Sequence, residues 1–73
     1  MKKEKGKLYT NPEGDLVVMC LIDSRENDSN FVGVVLQNGD LSVEIGTLNN
    51  SWSIANFTEK IGPIYLNNVT INN

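Results

Sequence analysis

Histidine is missing altogether from these 73 residues, and cysteine appears once. Without His the chain has no side chain that ordinarily exchanges a proton near neutral pH, which excludes Ser-His-Asp relays and His-based metal sets. A single Cys closes no intrachain disulfide and forms no CxxC pair for zinc. Cys20 stands inside the apolar run LVVMCLI, where it reads as a small buried hydrophobe with no role of its own. Basic residues are scarce as well: beyond residue 7 only Arg25 and Lys60 oppose eight acids, a net of −6 for residues 8–73. Such a body cannot neutralise a row of phosphates, so neither DNA nor RNA binding by the folded part is expected. GxGxxG, P-loop and CxxC patterns are lacking, and no cofactor or metal is expected. No apolar stretch approaches the roughly 18 residues of a membrane span, and the charged start MKKEKGK leads into no signal-like segment. A cytoplasmic protein is the resulting expectation.

What is present is short, β-rich and punctuated by turns. At this length the chain forms one thin-cored domain, and with no disulfide or metal to staple it, oligomerisation is the stabilising device that remains. Residues 1–7, with four Lys against Glu4, read as a flexible, solubilising terminus ahead of a single domain over 8–73. A short strand is expected at 7–10 and a turn at Asn11-Pro12-Glu13-Gly14, where Pro presets φ at the second position and Gly suits the fourth. Residues 16–22 form the next strand. Its apolar residues do not alternate with polar ones, so Leu16, Val18, Cys20 and Ile22 are expected on one side and Val17, Met19 and Leu21 on the other. The polar stretch DSRENDSN at 23–30 is a surface loop.

FVGVVLQNGDLSVEIG, residues 31–46, reads as a hairpin about Asn38-Gly39, a pair that tolerates the positive φ angles of a two-residue turn. Flanking that turn with Gln37 and Asp40 pairs Leu36 with Leu41, Val34 with Val43 and Val32 with Ile45, an all-aliphatic core face. Phe31, Val35 and Glu44 then lie on the mixed outer face, with Glu44 opposite Gly33. Among the carboxylates available for acid-base work (Asp15, Asp23, Asp40 and Glu44), only Glu44 sits mid-strand; no catalytic set results, and an enzyme is not expected. Residues 53–57 read as a helical turn capped by Ser51 or Ser53, with Trp52 and Phe57 plugging one end. Pro63 opens a strand at 64–66, and a second tight turn is expected to face Leu66 to Val69 and Ile64 to Ile71.

Five or six short strands, hairpin connections and one helical turn before the last strands define an all-β chain, and closing the sheet into a small antiparallel barrel removes exposed edges. The spaced pattern GKLYTNPEGDLVVM, FVGVVL, EIG, Trp52 and Phe57 resembles the short SH3-like barrel proteins encoded by bacterial phages and mobile elements, over residues 6–66. That resemblance implies a fold and a bacterial host, and carries over no catalytic residue. The function expected is therefore non-catalytic: a protein that blocks a host defence protein through an acidic and apolar surface, with Phe31, Val35, Glu44 and Trp52 as partner-contacting residues. An oligomeric protein that sequesters a small nucleotide, and an accessory subunit of a larger assembly, are the alternatives. Val17, Met19 and Leu21, together with Phe31 and Val35, make more apolar surface than one small barrel encloses, so a homo-oligomer meeting through Val17, Met19 and Leu21 is expected.

Overall fold

The computed structural model describes residues 2–39 and 41–62. Five antiparallel strands form one sheet: β1 (Leu8–Thr10), β2 (Val17–Cys20), β3 (Asn30–Gln37), β4 (Leu48–Ser53) and β5 (Thr58–Glu59), with a 3-10 turn (Ile54–Asn56) between the last two. Their order is β4-β3-β2-β1-β5. β4 and β5 are the two edges and do not pair, so among the described residues the sheet is unclosed, where a closed barrel was expected. The strand expected at 64–66, the turn beyond it and Asp40 lie outside the described residues.

The first half follows local chemistry. Gly14 N–H donates to the Asn11 carbonyl (2.9 Å), closing the expected turn, and Asn11 Oδ1 accepts the N–H groups of Asp15 and Leu16 (3.1 Å each). Thr10 then meets Val17, Tyr9 meets Val18 and Leu8 meets Met19 across the β1–β2 ladder. Leu16, Val18 and Cys20 are buried as expected, but Ile22 is 60 % exposed, because the strand ends at Cys20. Val17, placed on the opposite side, is also fully buried, so only Met19 and Leu21 remain half-buried there.

The central hairpin differs from its expected form. A tight turn does occur at Asn38-Gly39, with Gly39 at φ +55°, but the closing bond runs from Leu41 N–H to the Asn38 carbonyl (2.9 Å), one residue later than expected. A second turn follows, Thr47 N–H donating to the Glu44 carbonyl (3.1 Å). Val35 receives Gly46 N–H (2.7 Å) and donates to the Thr47 carbonyl (3.0 Å). Two residues thus face one, and the strand that pairs with β3 is LNNSWS at 48–53 rather than 41–46. Leu41 and Ile45, expected in the core, are exposed, while Val43 packs partly against it.

This register also inverts the faces of β3. Phe31, Gly33 and Val35, expected outside, are buried, and Val32, Val34 and Leu36, expected inside, are half-buried on the other face. Aromatic packing supplies the reason. Phe31 lies 5.6 Å from the ring centres of both Tyr9 and Phe57, and Phe57 lies 5.7 Å from Trp52, all edge to face. Burying Phe31 gains more apolar area than burying Leu41 or Ile45, and each aromatic contact adds about 0.5–1.5 kcal/mol beyond its area. The core is therefore Tyr9, Leu16, Val18, Cys20, Phe31, Val35, Ile54 and Phe57. Trp52 and Phe57 do pack around the helical turn; Ser53 occupies its N-cap position but makes no side-chain cap bond.

The start of the chain is the third difference. Its described residues form a strap bonded along residues 20–24, past the end of β2, rather than a frayed terminus. Gly6 N–H donates to the Cys20 carbonyl (2.8 Å) and Cys20 N–H to the Lys7 carbonyl (2.9 Å), which extends the β1–β2 pairing by a turn of chain. Lys3 is 4 % exposed, and its N–H donates to Ser24 Oγ (2.6 Å) while its carbonyl accepts Ser24 N–H (2.9 Å). Composition marks such a segment as solvated, yet its main-chain groups find partners on the body and four of its five side chains stay in water.

Candidate functional site

Cross-strand partners in an antiparallel ladder project to the same face of the sheet. Leu8 is opposite Met19, Met19 opposite Val34, and Val34 opposite Leu48, so one row of four apolar residues crosses β1, β2, β3 and β4. The neighbouring row, Tyr9, Val18 and Val35, is buried and belongs to the aromatic core, which places the first row on the outer face. Along the row Leu8, Met19 and Val34 are half-buried and Leu48 is 63 % exposed. No charged residue stands in it. On a body that is otherwise acidic, this row is where a protein surface can approach without meeting like or unpaired charge.

Met19 and Leu21 thus occupy the outer face expected of them, while Val17 is enclosed by its own chain. Phe31 and Val35 sit in the core, behind rather than on a contact surface. Glu44 is exposed in the turn before Thr47 and far from a mid-strand position; the residue opposite Gly33 is Asn49. Trp52 is half-buried, its indole N–H donating to the Gly33 carbonyl (3.0 Å) and its chain position paired with Phe31. The structure brings Phe31 and Trp52 together as core partners and leaves Glu44 apart from both. Leu8 and Leu48 were not among the expected surface residues. Leu8 was signalled by its strand; Leu48 was hidden in a polar segment that shows no alternation.

A second cluster gathers where the strap crosses the body. Lys3 Nζ donates to the Phe57 carbonyl (2.7 Å) and lies 4.9 Å from the centre of the Tyr9 ring, inside the range of a cation–π contact. Burial holds this ammonium below its ordinary 10.5, with Cys20 pulling the other way. Glu4 N–H donates to Tyr9 Oη (2.8 Å) and Lys5 N–H to Asp23 Oδ1 (2.6 Å). Shallow grooves flank Lys3, one reaching Asp23 and Ser24, the other Tyr9, Phe57, Thr58 and Glu59. Burial likewise pushes the Cys20 thiol above 9.0. Among the described residues no three His, Cys, Asp or Glu converge as metal ligands, and no helix is long and apolar enough to cross a membrane. Comparison with protein-family models, with curated proteins and with solved structures finds no match.

Proposed function

We propose that the chain is a non-catalytic docking protein that acts by occupying another protein through the outer face of its sheet. The observation that carries this reading is the uncharged row Leu8, Met19, Val34 and Leu48, an apolar strip on the side of the sheet opposite the aromatic core. Apolar residues that line up across four strands contribute little to solubility, and such a strip is typical of a contact surface. An SH3-like arrangement, and with it a phage or mobile-element protein that works in the cytoplasm of a bacterial host, is part of this reading and rests on the sequence pattern over residues 6–66; the all-β order β4-β3-β2-β1-β5 with a 3-10 turn before β5 is compatible with it. Its net −6 body suits a target with a basic rim, such as a nucleic-acid-handling defence protein that the chain would block.

The test uses tagged full-length chain and three variants: Met19→Glu, Leu48→Glu and, as a control in the polar loop, Asn27→Glu. A bacterial protein retained by the native chain and by Asn27→Glu, and released by Met19→Glu and Leu48→Glu at unchanged melting temperature, supports the reading. Retention that ignores all three substitutions refutes it. Sedimentation of the same four proteins alone reports whether a second copy takes the face, since the two row variants would then be the ones to dissociate.

A further inference from the structure

Lysine is seldom buried, and when it is, a carboxylate normally stands against it. Lys3 is buried, yet among the described residues the ion pairs are those of Lys7 with Glu4 and Glu59, and none involves Lys3. Its ammonium is held instead by an aromatic ring and a main-chain carbonyl, which read it as a cation and not as one half of a salt bridge. A plug whose only task was to cover the end of the core would be better served by Leu or Met, which carry no charge to desolvate.

The rest of the strap is read through its backbone. Ser24 exchanges two bonds with the main chain of Lys3, Tyr9 Oη accepts Glu4 N–H, and Asp23 accepts Lys5 N–H. All of these receiving groups belong to the body, and none depends on a strap side chain. The geometry is that of a peptide-recognition site, in which main-chain bonds hold an extended segment and one pocket selects one side chain. We propose that Tyr9, the Phe57 carbonyl, Ser24 and Asp23 form a receptor for a lysine ammonium on an extended peptide, which the chain's own strap fills and a lysine-bearing segment of a partner protein can take over. Lys2 and Glu4 of the strap line both grooves beside Lys3, while the carboxylates that belong to the body are Asp23 in one and Glu59 in the other, so it is the site vacated by the strap that favours a basic segment. The strap is then a resident competitor, and its local concentration sets how strong an outside segment must be.

The experiment empties the pocket in the full chain with Lys3→Ala and titrates it with n-butylammonium, using 1-butanol as the neutral control of equal shape. Saturable shifts of the Tyr9 and Phe57 amides at least tenfold tighter for the ammonium are expected. The blocked peptide KKEKGK should displace the strap of the same variant, which keeps its main-chain bonds but lacks the ammonium, and should lose at least tenfold when its second lysine is replaced by Gln. Equal effects of ammonium and alcohol, or a peptide indifferent to that replacement, overturn the proposal. Should Lys3→Ala be unfolded alone, recovery of its Trp52 fluorescence by butylammonium and not by butanol gives the supporting result, and recovery by neither gives the opposing one. These measurements do not involve the outer row, so their failure leaves the docking reading standing on its own test.

Discussion

Val18 packs directly on Gly33. Val18 is paired with Val35 and Gly33 with Cys20, so the two lie diagonally across the β2–β3 ladder on the core side, and a Cβ placed at Gly33 would collide with Val18 Cγ1 while lying 2.9 Å from the Met19 carbonyl and 3.3 Å from the Phe31 ring. The near neighbours include backbone, which cannot swing away. Gly33→Ala is therefore expected to cost about 1–3 kcal/mol through overpacking. Urea unfolding followed by Trp52 fluorescence measures it, and a midpoint equal to that of the native chain would contradict the placement of Gly33 on the buried face.

Phe31 joins Tyr9 to Phe57 at the centre of the core, so Phe31→Ala should cost about 3–5 kcal/mol, enough to unfold a domain of this size. Leu48→Ala, on the exposed end of the outer row, should stay within about 0.5 kcal/mol. Thermal melts of both variants decide the register: a β3 with its faces exchanged would spare Phe31 and make Val34 the sensitive position.

The Cys20 thiol is enclosed, donates to the Ile22 carbonyl (3.2 Å) and is pushed above 9.0 by burial. At about pH 8 it should resist iodoacetamide in the native chain and react as fast as a free thiol only through unfolded molecules. Alkylation rates measured across a urea series should follow the unfolded fraction. A fast reaction in water would place the thiol at the surface.

Burial lowers the Lys3 pKa, so the folded chain binds the proton less tightly than the unfolded chain does. The sign follows from linkage: the penalty for a buried ammonium is present below the folded pKa and relieved as pH rises from there to 10.5. Cys20 contributes in the opposite direction, because a thiol raised in the folded state loses stability as pH climbs above 9.0. Comparing the native chain with Lys3→Met isolates the first effect. The stability of the native chain relative to that variant should increase as the solution is made alkaline; a flat difference would show that Lys3 is solvated.

Turn chemistry was the most legible part of the sequence. Asn11-Pro12-Glu13-Gly14 forms where its residues demand, because Asn11 satisfies that turn with its own side chain. β1, β2 and the 3-10 turn lie within a residue or two of where composition puts them. β4 was not legible. LNNSWS has no period and no β-branched residue, and becomes a strand only because β3 lies beside it and Trp52 finds Phe31 across the ladder. The faces of β3 were misread for a related reason: alternation along Val32, Val34 and Leu36 is as apolar as along Phe31, Gly33 and Val35, so the sequence leaves the choice to aromatic partners far away in the chain. Lys3 escaped because four lysines in seven residues give the same signal whether one of them is buried or none is. Of the outer row, Met19 was legible from a strand too apolar to need only one covered side.

β1 lies between β2 and β5, so its two borders are made on very different terms. Thr10 and Val17 come together through a short turn, whereas Tyr9 and Glu59 meet only after almost the whole described chain has been laid down between them. Closing a loop that long is entropically costly, and just two ladder positions repay it. The β2–β3–β4 meander is thus placed to assemble first and β5 to zip on afterwards. By the same imbalance, amide protons of the β1–β5 seam are expected to exchange before those of the β2–β3–β4 meander, so that the domain opens from that border while the meander stays closed.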